Sequence, residues 1–336
     1  MVNVGLVGLG FIGKAHLEAY QKTNNAMVTS ICTRSNQRDQ DDLIHDDIEI
    51  VHEYEAILNN PNIDVVDLCL PTFLHEDYIL KAVKANKHII CEKPLTLTAS
   101  SADRIIQAVK DEGVQLFVGH VLRFWPEYQV LKEYSVTNQL PNIDWFQARR
   151  LGQFPTWSDW FKDPEKSGGA LFDLHIHDID FAYSLFGDVE SVYAIGHQNE
   201  QGAWSQVLTT LNFKSGVRAG IEASHKMPNG YPFTMSYRAQ SENKSLVYTM
   251  EAGENIDGAS SANHRFEFND GKKTSTLPIS EQDPFQLELG YFIDCLEQQK
   301  KNDTIPLTDV QEVICIMEAI QKSLELNQVI HLKHDI

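Results

Sequence analysis

Over the first 118 residues, short apolar runs at 2–7, 27–32, 65–70, 88–91 and 114–118 alternate with stretches whose apolar positions recur at helical spacing. Ile79 and Val83 mark one such stretch at 76–86, and Ile105, Ile106 and Val109 mark another at 100–112. Parallel strands need crossovers of this kind, so the alternation predicts a doubly wound parallel sheet wrapped by helices. Past Gly119 the pattern changes. Residues 144–276 carry period-two runs at 207–213, 217–223, 233–238 and 245–251, separated by Gly, Asn, Asp and Ser turns, which predict an antiparallel sheet. Residues 168–187 interrupt it with a helical period, and 284–299 and 308–326 predict two terminal helices. The expected fold class is α/β, with a first domain over 1–120 and an α+β domain with a mainly antiparallel sheet over 121–336, the last helices packing back against the sheet.

At 336 residues the chain exceeds the usual span of one core, which supports two domains. Its 42% hydrophobic residues suffice for folding, and disordered or collagen-like classes are excluded. Lys and Arg number 28 against 47 Asp and Glu, and the resulting charge of −19 repels a polyanion, so nucleic acid is not an expected partner. No window approaches 18 consecutive apolar residues, and the N-terminus carries neither a cationic stretch nor a cleavable apolar one, so neither a membrane span nor an export signal is expected. The five cysteines, Cys32, Cys69, Cys91, Cys295 and Cys315, show no C-x-x-C spacing and read as reduced residues of a cytoplasmic protein.

Gly8-Leu9-Gly10-Phe11-Ile12-Gly13 fits G-x-G-x-x-G between a strand and a helix. In that context Gly8 permits a tight turn, Gly10 lets backbone approach a pyrophosphate, and Gly13 allows close helix-strand packing. The helix N-terminus then offers N–H groups and partial positive charge to the phosphates. A bare glycine turn is the bland alternative, and the strand-loop-helix setting favours dinucleotide binding. About 20 residues on, an NAD enzyme places an acid for the ribose 2′-hydroxyl. Here the strand ends in Thr33-Arg34-Ser35, which could hold a 2′-phosphate, so the expected cofactor is NAD(P), leaning to NADP.

Lys93, in Cys91-Glu92-Lys93-Pro94, follows the strand at 88–91 and so stands at the sheet edge where such folds bind ligands. The densest chemistry lies at 168–180. As a helix, that stretch puts Phe172, Ile176, Ile179, Tyr183 and Phe186 on one stripe, and Asp173, His177, Asp180 and Ser184 on a polar face. An imidazole oriented by a carboxylate four residues away suits a general base. An ordinary exposed helical face is the alternative. A rival reading makes 171–177 a strand and His175-x-His177 a metal-ligand pair; it lacks a further well-spaced donor set, and no metal is expected.

Together, the glycine loop, Glu92-Lys93-Pro94 and Gly168-Gly169-Ala170-Leu171-Phe172-Asp173-x-x-x-His177-x-x-Asp180 resemble the Gfo/Idh/MocA family of nicotinamide-dependent sugar and polyol oxidoreductases. Pro71-Thr72-Phe73-Leu74-His75 is similar to the family's loop after the fourth strand, and Val329-Ile330-His331-Leu332 to its closing strand. The resemblance spans nearly the whole chain. It implies an N-terminal Rossmann domain followed by a domain with a large open sheet that often mediates oligomers, hence a homo-oligomer, dimer or tetramer, through that sheet. It implies catalytic roles for Lys93, Asp173 and His177, and a cofactor pocket that Pro71, Thr72, His75, Glu92 and Lys93 help to form. His177 would be the base, Lys93 the group polarising the substrate oxygen, and Asp173 the residue positioning both. His175 departs from the glycine of many relatives, leaving its role open.

Trp157, Trp160 and Phe161 could contact a sugar, with interdomain packing as the alternative, and Arg123 could contact a sugar or anchor a loop, with a structural ion pair as the alternative. The expected substrate set is Lys93, Arg123, Trp160, Asp173 and His177. The expected activity interconverts a secondary alcohol and a carbonyl on a sugar, inositol or sugar derivative. Two other readings stay open: a dinucleotide-binding regulator without catalysis, and a sugar lyase or glycosidase that oxidises its substrate transiently.

Overall fold

The computed structural model describes residues 1–34, 43–156, 159–253 and 262–332. The chain separates into two compact units, Met1–Phe124 with Gln282–Gln311, and Trp125–Glu281 with Glu312–Ile336. No helix among the described residues is long and apolar enough to cross a membrane.

The first unit runs β1 (Val2–Val7), α1 (Phe11–Gln21), β2 (Ala26–Cys32), β3 (Glu49–Val51), α2 (Tyr54–Asn59), β4 (Val65–Leu68), α3 (His75–Lys84), β5 (His88–Glu92), α4 (Ala99–Glu112) and β6 (Leu116–Gly119). Its six strands are all parallel, in the order β3-β2-β1-β4-β5-β6. That is the Rossmann order, with the sheet's reversal point between β1 and β4. β1 pairs Val7 with Leu68 of β4, and β4 pairs Leu68 with Cys91 of β5. Parallel register therefore brings the loops that begin at Gly8, Cys69 and Lys93 to one sheet edge.

The second unit contains α5 (Pro126–Val136), β7 (Trp145–Leu151), the short α6 (Pro164–Ser167), a π-helical turn at Leu171–His175 running into α7 (Ile176–Phe186), and strands β8 (Val189–Gln198), β9 (Trp204–Phe213), β10 (Arg218–Ser224), β11 (Thr234–Gln240), β12 (Ser245–Glu251), β13 (Asn263–Asn269) and β14 (Thr274–Thr276). After α8 (Pro284–Glu297) and α9 (Leu307–Leu326) comes β15 (Ile330–His331), the expected closing strand, paired with β8. The nine strands are ordered β14-β13-β12-β11-β7-β10-β9-β8-β15. All pairs are antiparallel except β7 with β10, so the sheet is mixed rather than purely antiparallel. Along β9, and along β7 as far as Arg150, burial alternates residue by residue, leaving one sheet face covered and one open. On the covered face Tyr128 meets Phe181 and Tyr237 edge-on, with ring centroids 4.8 and 4.9 Å apart. Buried Arg150 of β7 pairs with Asp178 of α7 at 3.1 Å, tying that helix to the sheet.

One expected boundary differs. The segment 121–336 is not a single contiguous unit, because Gln282–Gln311 belongs with the first. α8 buries Leu289, Phe292 and Ile293 in the same apolar core as the parallel sheet, with Phe292 5.0 Å from Phe117. An amphipathic period shows that a helix has an apolar face without showing which core receives it. None of the five cysteines, all of them among the described residues, forms a disulfide.

Candidate active site

Gly8 has φ +96°, and a Cβ there would overlap the Cys69 carbonyl oxygen; a Cβ on Gly13 would overlap the carbonyl oxygen of Gly8. These two glycines are demanded by the protein's own backbone. Gly10 is different: a Cβ there would meet nothing within 4 Å. It precedes α1, whose first turn carries no acid and whose cap position offers no side-chain acceptor. The N–H groups of that turn, at exposed Phe11, half-buried Ile12 and buried Gly13, thus face a space suited to an anion. The cradle fits the pyrophosphate of a dinucleotide.

At the end of β2, the Thr33 amide donates to the Val51 carbonyl at 3.0 Å, and the Thr33 carbonyl accepts from His52 Nδ1 at 2.8 Å. Thr33 is thereby held in place while Arg34 stays exposed. Ser35 lies outside the described residues, as does Trp157. After β4, half-buried Pro71 precedes a single 3-10 turn over Thr72–Leu74, and Thr72 is buried. His75, expected at the cofactor, is turned inward: its Nδ1 lies 2.9 Å from the Pro94 carbonyl oxygen and its Nε2 2.8 Å from that of Leu70. It is wholly buried, and burial holds the imidazole below its ordinary proton affinity. Its observed part is to clamp the loop after β4 to the turn after Lys93. Lys93 is half-buried, and the Lys93-Pro94 peptide is cis. Glu92, just before it, is buried.

Arg123 is buried as well. Its guanidinium is 4% exposed, donating to Asp309 Oδ2 at 2.7 Å and to the Thr304 carbonyl at 2.8 Å. Both partners lie on the returning segment of the first unit, so this arginine anchors a loop there.

In the second unit, Gly168 and Gly169 both take positive φ, +66° and +68°, and the Ser167 hydroxyl accepts from the Gly169 amide at 3.0 Å. This tight entry leads into the π-helical turn and α7. Within residues 171–180 every side chain is buried except Asp173 and His177, both half-exposed. The expected helix is present and the expected stripe is buried at Phe172, Ile176 and Ile179, but Asp180, assigned to the polar face, is wholly buried. Widening one turn to i→i+5 shifts the faces that simple α-helical spacing assigns.

Asp173 Oδ2 accepts from His225 Nε2 at 3.1 Å. His225 follows β10, is 4% exposed, and stands edge-on to Phe154 and Phe161 at 6.1 and 6.4 Å. Sequence reading missed it, since 52 residues separate the pair and only the sheet brings them together. Trp160 is half-buried and stacks on Phe161 with centroids 4.1 Å apart.

His175 has an answer. Its Nε2 shares a hydrogen bond with Thr209 Oγ1 at 2.8 Å, and burial pushes the imidazole down to about 3. It is a neutral core residue, which takes it out of the H-x-H metal pair. The folded state refuses the proton that the unfolded chain accepts below about 6.5, so stability falls as pH drops from there toward 3. This group is expected to contribute a loss of about 1.4 kcal/mol per pH unit. Urea denaturation at pH 4 to 6 should show a flatter pH dependence in His175→Gln than in the parent, and equal slopes would contradict the assignment.

Comparison with known proteins agrees with these features. Residues 2–120 match the family described as oxidoreductase family, NAD-binding Rossmann fold, and residues 128–247 match the GFO/IDH/MocA C-terminal domain. A myo-inositol 2-dehydrogenase of Thermotoga maritima is 29% identical over 240 residues, 68% of this chain and 70% of its own. An NADP(+)-dependent scyllo-inositol 2-dehydrogenase of Bacillus subtilis is 25% identical over 354 residues, covering 99% of this chain and 96% of its own. Among solved structures, a levoglucosan dehydrogenase in complex with NADH shares the fold with a TM-score of 0.82 at 23% identity, over 99% of this chain and 100% of that one. With both family models matched in order, this chain is a member of the Gfo/Idh/MocA family of NAD(P)-dependent oxidoreductases.

Proposed function

We propose that the protein interconverts a secondary alcohol and a carbonyl on a sugar, an inositol or a sugar derivative. The observation that carries this reading is the selective presentation of Asp173 and His177 from an otherwise buried segment. Burial of neighbours is the default for a core helix, so two titratable side chains left open there are suited to chemistry. The family's nicotinamide cofactor supplies, when bound, the acceptor or donor of a hydride. His177 takes the hydroxyl proton as the carbinol carbon gives up its hydride, and returns a proton to the oxygen in the reverse direction. Lys93 donates to that oxygen and stabilises its developing negative charge. Asp173, held from behind by His225, orients the proton-transfer groups. Trp160 remains a candidate platform for the apolar face of a sugar.

The test is absorbance at 340 nm with either cofactor over myo-inositol, scyllo-inositol, glucose, levoglucosan and their keto forms. Turnover of at least one compound is expected. Cofactor binding without product from any of them would favour a regulator, and product formed without a net absorbance change would favour transient oxidation followed by elimination.

For the cofactor's 2′ position, the exposed Arg34 and the absence of an acid at 33 and 34 support NADP. A charge-assisted hydrogen bond contributes about 1.5–3 kcal/mol, so NADPH is expected to bind roughly ten- to hundredfold more tightly than NADH. Arg34→Ala should erase most of that ratio in a fluorescence titration, and tighter binding of NADH by the parent would refute the preference. Assembly through the second unit's sheet is supported by a cross-strand apolar pair on its open face, Ile195 and Leu208, 49% and 44% exposed.

A further inference from the structure

Behind the turn that carries Lys93 lies an imidazole held between two carboxylates. His16, on the inner side of α1, is wholly buried. Its Nδ1 is 2.8 Å from Asp67 Oδ2, and its Nε2 is 3.2 Å from Glu92 Oε1. Asp67 lies in β4, Glu92 ends β5, and both are buried. A neutral imidazole carries one N–H and would turn a lone pair toward one carboxylate, whereas an imidazolium donates to both. Burial opposes the charge on His16, but the adjoining Asp67 carboxylate prevails and raises its proton affinity well above the ordinary histidine value. For Glu92, burial opposes ionisation, and the hydrogen bond and charge of His16 together with Lys93 hold its carboxyl below the usual range.

The surroundings leave the network little freedom. The Tyr20 hydroxyl donates to Asp67 Oδ2 at 2.9 Å, and Cys69 Sγ lies 3.4 Å from His16 Nδ1 and 3.7 Å from Asp67 Oδ1. From α8 the Phe285 ring covers the imidazole at 5.7 Å, and buried Glu288 adds to the negative field at Tyr20. His75 adds a weak pull on Glu92. On β6, a Cβ at Gly119 would come within 2.7 Å of Glu92 Oε1, so the carboxylate packs directly on backbone. His16, Asp67 and Cys69 also have the donor types of a metal site, all within 4.8 Å, but 2.8 Å between Nδ1 and Oδ2 is the separation of a hydrogen bond. The remaining Glu92 oxygen, Oε2, accepts from the Lys93 amide at 3.3 Å.

We propose that His16 is a positioning residue: as an imidazolium bridging Asp67 and Glu92, it fixes the Glu92 carboxylate and, through it, the backbone that presents Lys93. The consequence for catalysis rests on the role given to Lys93 above; the charge state and the backbone effect do not. Using the full chain, long-range 1H–15N spectra from pH 6 to 9 should show His16, identified by its loss in His16→Gln, still protonated at pH 8. In Asp67→Asn and Glu92→Gln its midpoint should fall by at least one pH unit. Hydrogen exchange at the Lys93 amide should accelerate at least tenfold in His16→Gln and in the milder Glu92→Gln, while amides of the β8–β9 pair stay within twofold. With any compound the parent turns over, His16→Gln should lower kcat at least tenfold while KM and the NADPH dissociation constant stay within threefold. A neutral His16 at pH 7, or unchanged exchange at Lys93, would overturn the proposal even if the enzyme is active. A parent inactive on every compound would count against the function, and the spectra and exchange would still decide the role of His16.

Discussion

Replacing Lys93 with Ala, or His177 with Ala, is expected to lower kcat by about two to four orders of magnitude and to leave NADPH binding within about threefold. The size follows from what each group supplies. A positioned acid–base group accelerates proton transfer by about 10²–10⁴, and removing one preorganised donor to a developing oxyanion costs about 10²–10³. Neither loss touches the glycine loop, where the phosphates would sit on α1. The two variants should differ in one respect. Lys93→Arg keeps the charge but spreads it over a planar fork and should restore only part of the rate. A His177 variant should lose the limb of the pH–rate profile that reports its ionisation. The measurement is steady-state turnover of any active panel compound together with a cofactor titration, and near-parent kcat in both alanine variants would remove the mechanism.

A second large effect separates the glycines that the fold needs from the one a ligand needs. Gly13→Ala is expected to destabilise the protein by about 1–3 kcal/mol, because the new methyl group overlaps the Gly8 carbonyl oxygen and α1 must move away from β1. The same movement displaces the N–H groups of the first helical turn, so NADPH affinity should fall as well. Gly10→Ala should behave differently. Its backbone, at φ −79° and ψ −164°, is open to alanine, and the added Cβ meets no protein atom. Its melting curve should stay within about 1 kcal/mol of the parent, the usual scale of a cap substitution, yet NADPH binding should weaken at least tenfold because the methyl group occupies the path of the pyrophosphate. Unaltered NADPH binding by Gly10→Ala would mean that no phosphate approaches this backbone.

The parts of the molecule legible in the sequence are those set by local rules. Strands β1, β2, β4, β5 and β6 stand close to their expected places because buried parallel strands are near-continuous apolar runs. Helices α3, α4, α8 and α9 also fall near their expected ranges, since apolar spacing marks a buried stripe. Elements with weaker patterns escaped. β3 is three residues long, β8 carries irregular register at both ends, β13 buries only Phe266, and α5 opens on a proline beside residues read for their chemistry.

The amino-acid order alone determined the class of the first unit and the glycine loop, and it singled out Lys93, Asp173 and His177 as candidates, because each is written in neighbouring residues. Tertiary structure decided the rest. It placed α8 in the first core, turned His75 inward, bound Arg123 to Asp309, sank His175 beneath Thr209, and brought His225 to Asp173 and His16 between Asp67 and Glu92. These outcomes depend on strand order, on register and on which apolar face finds which core. Such choices are made by burial between segments far apart in the chain, and no local spacing encodes them.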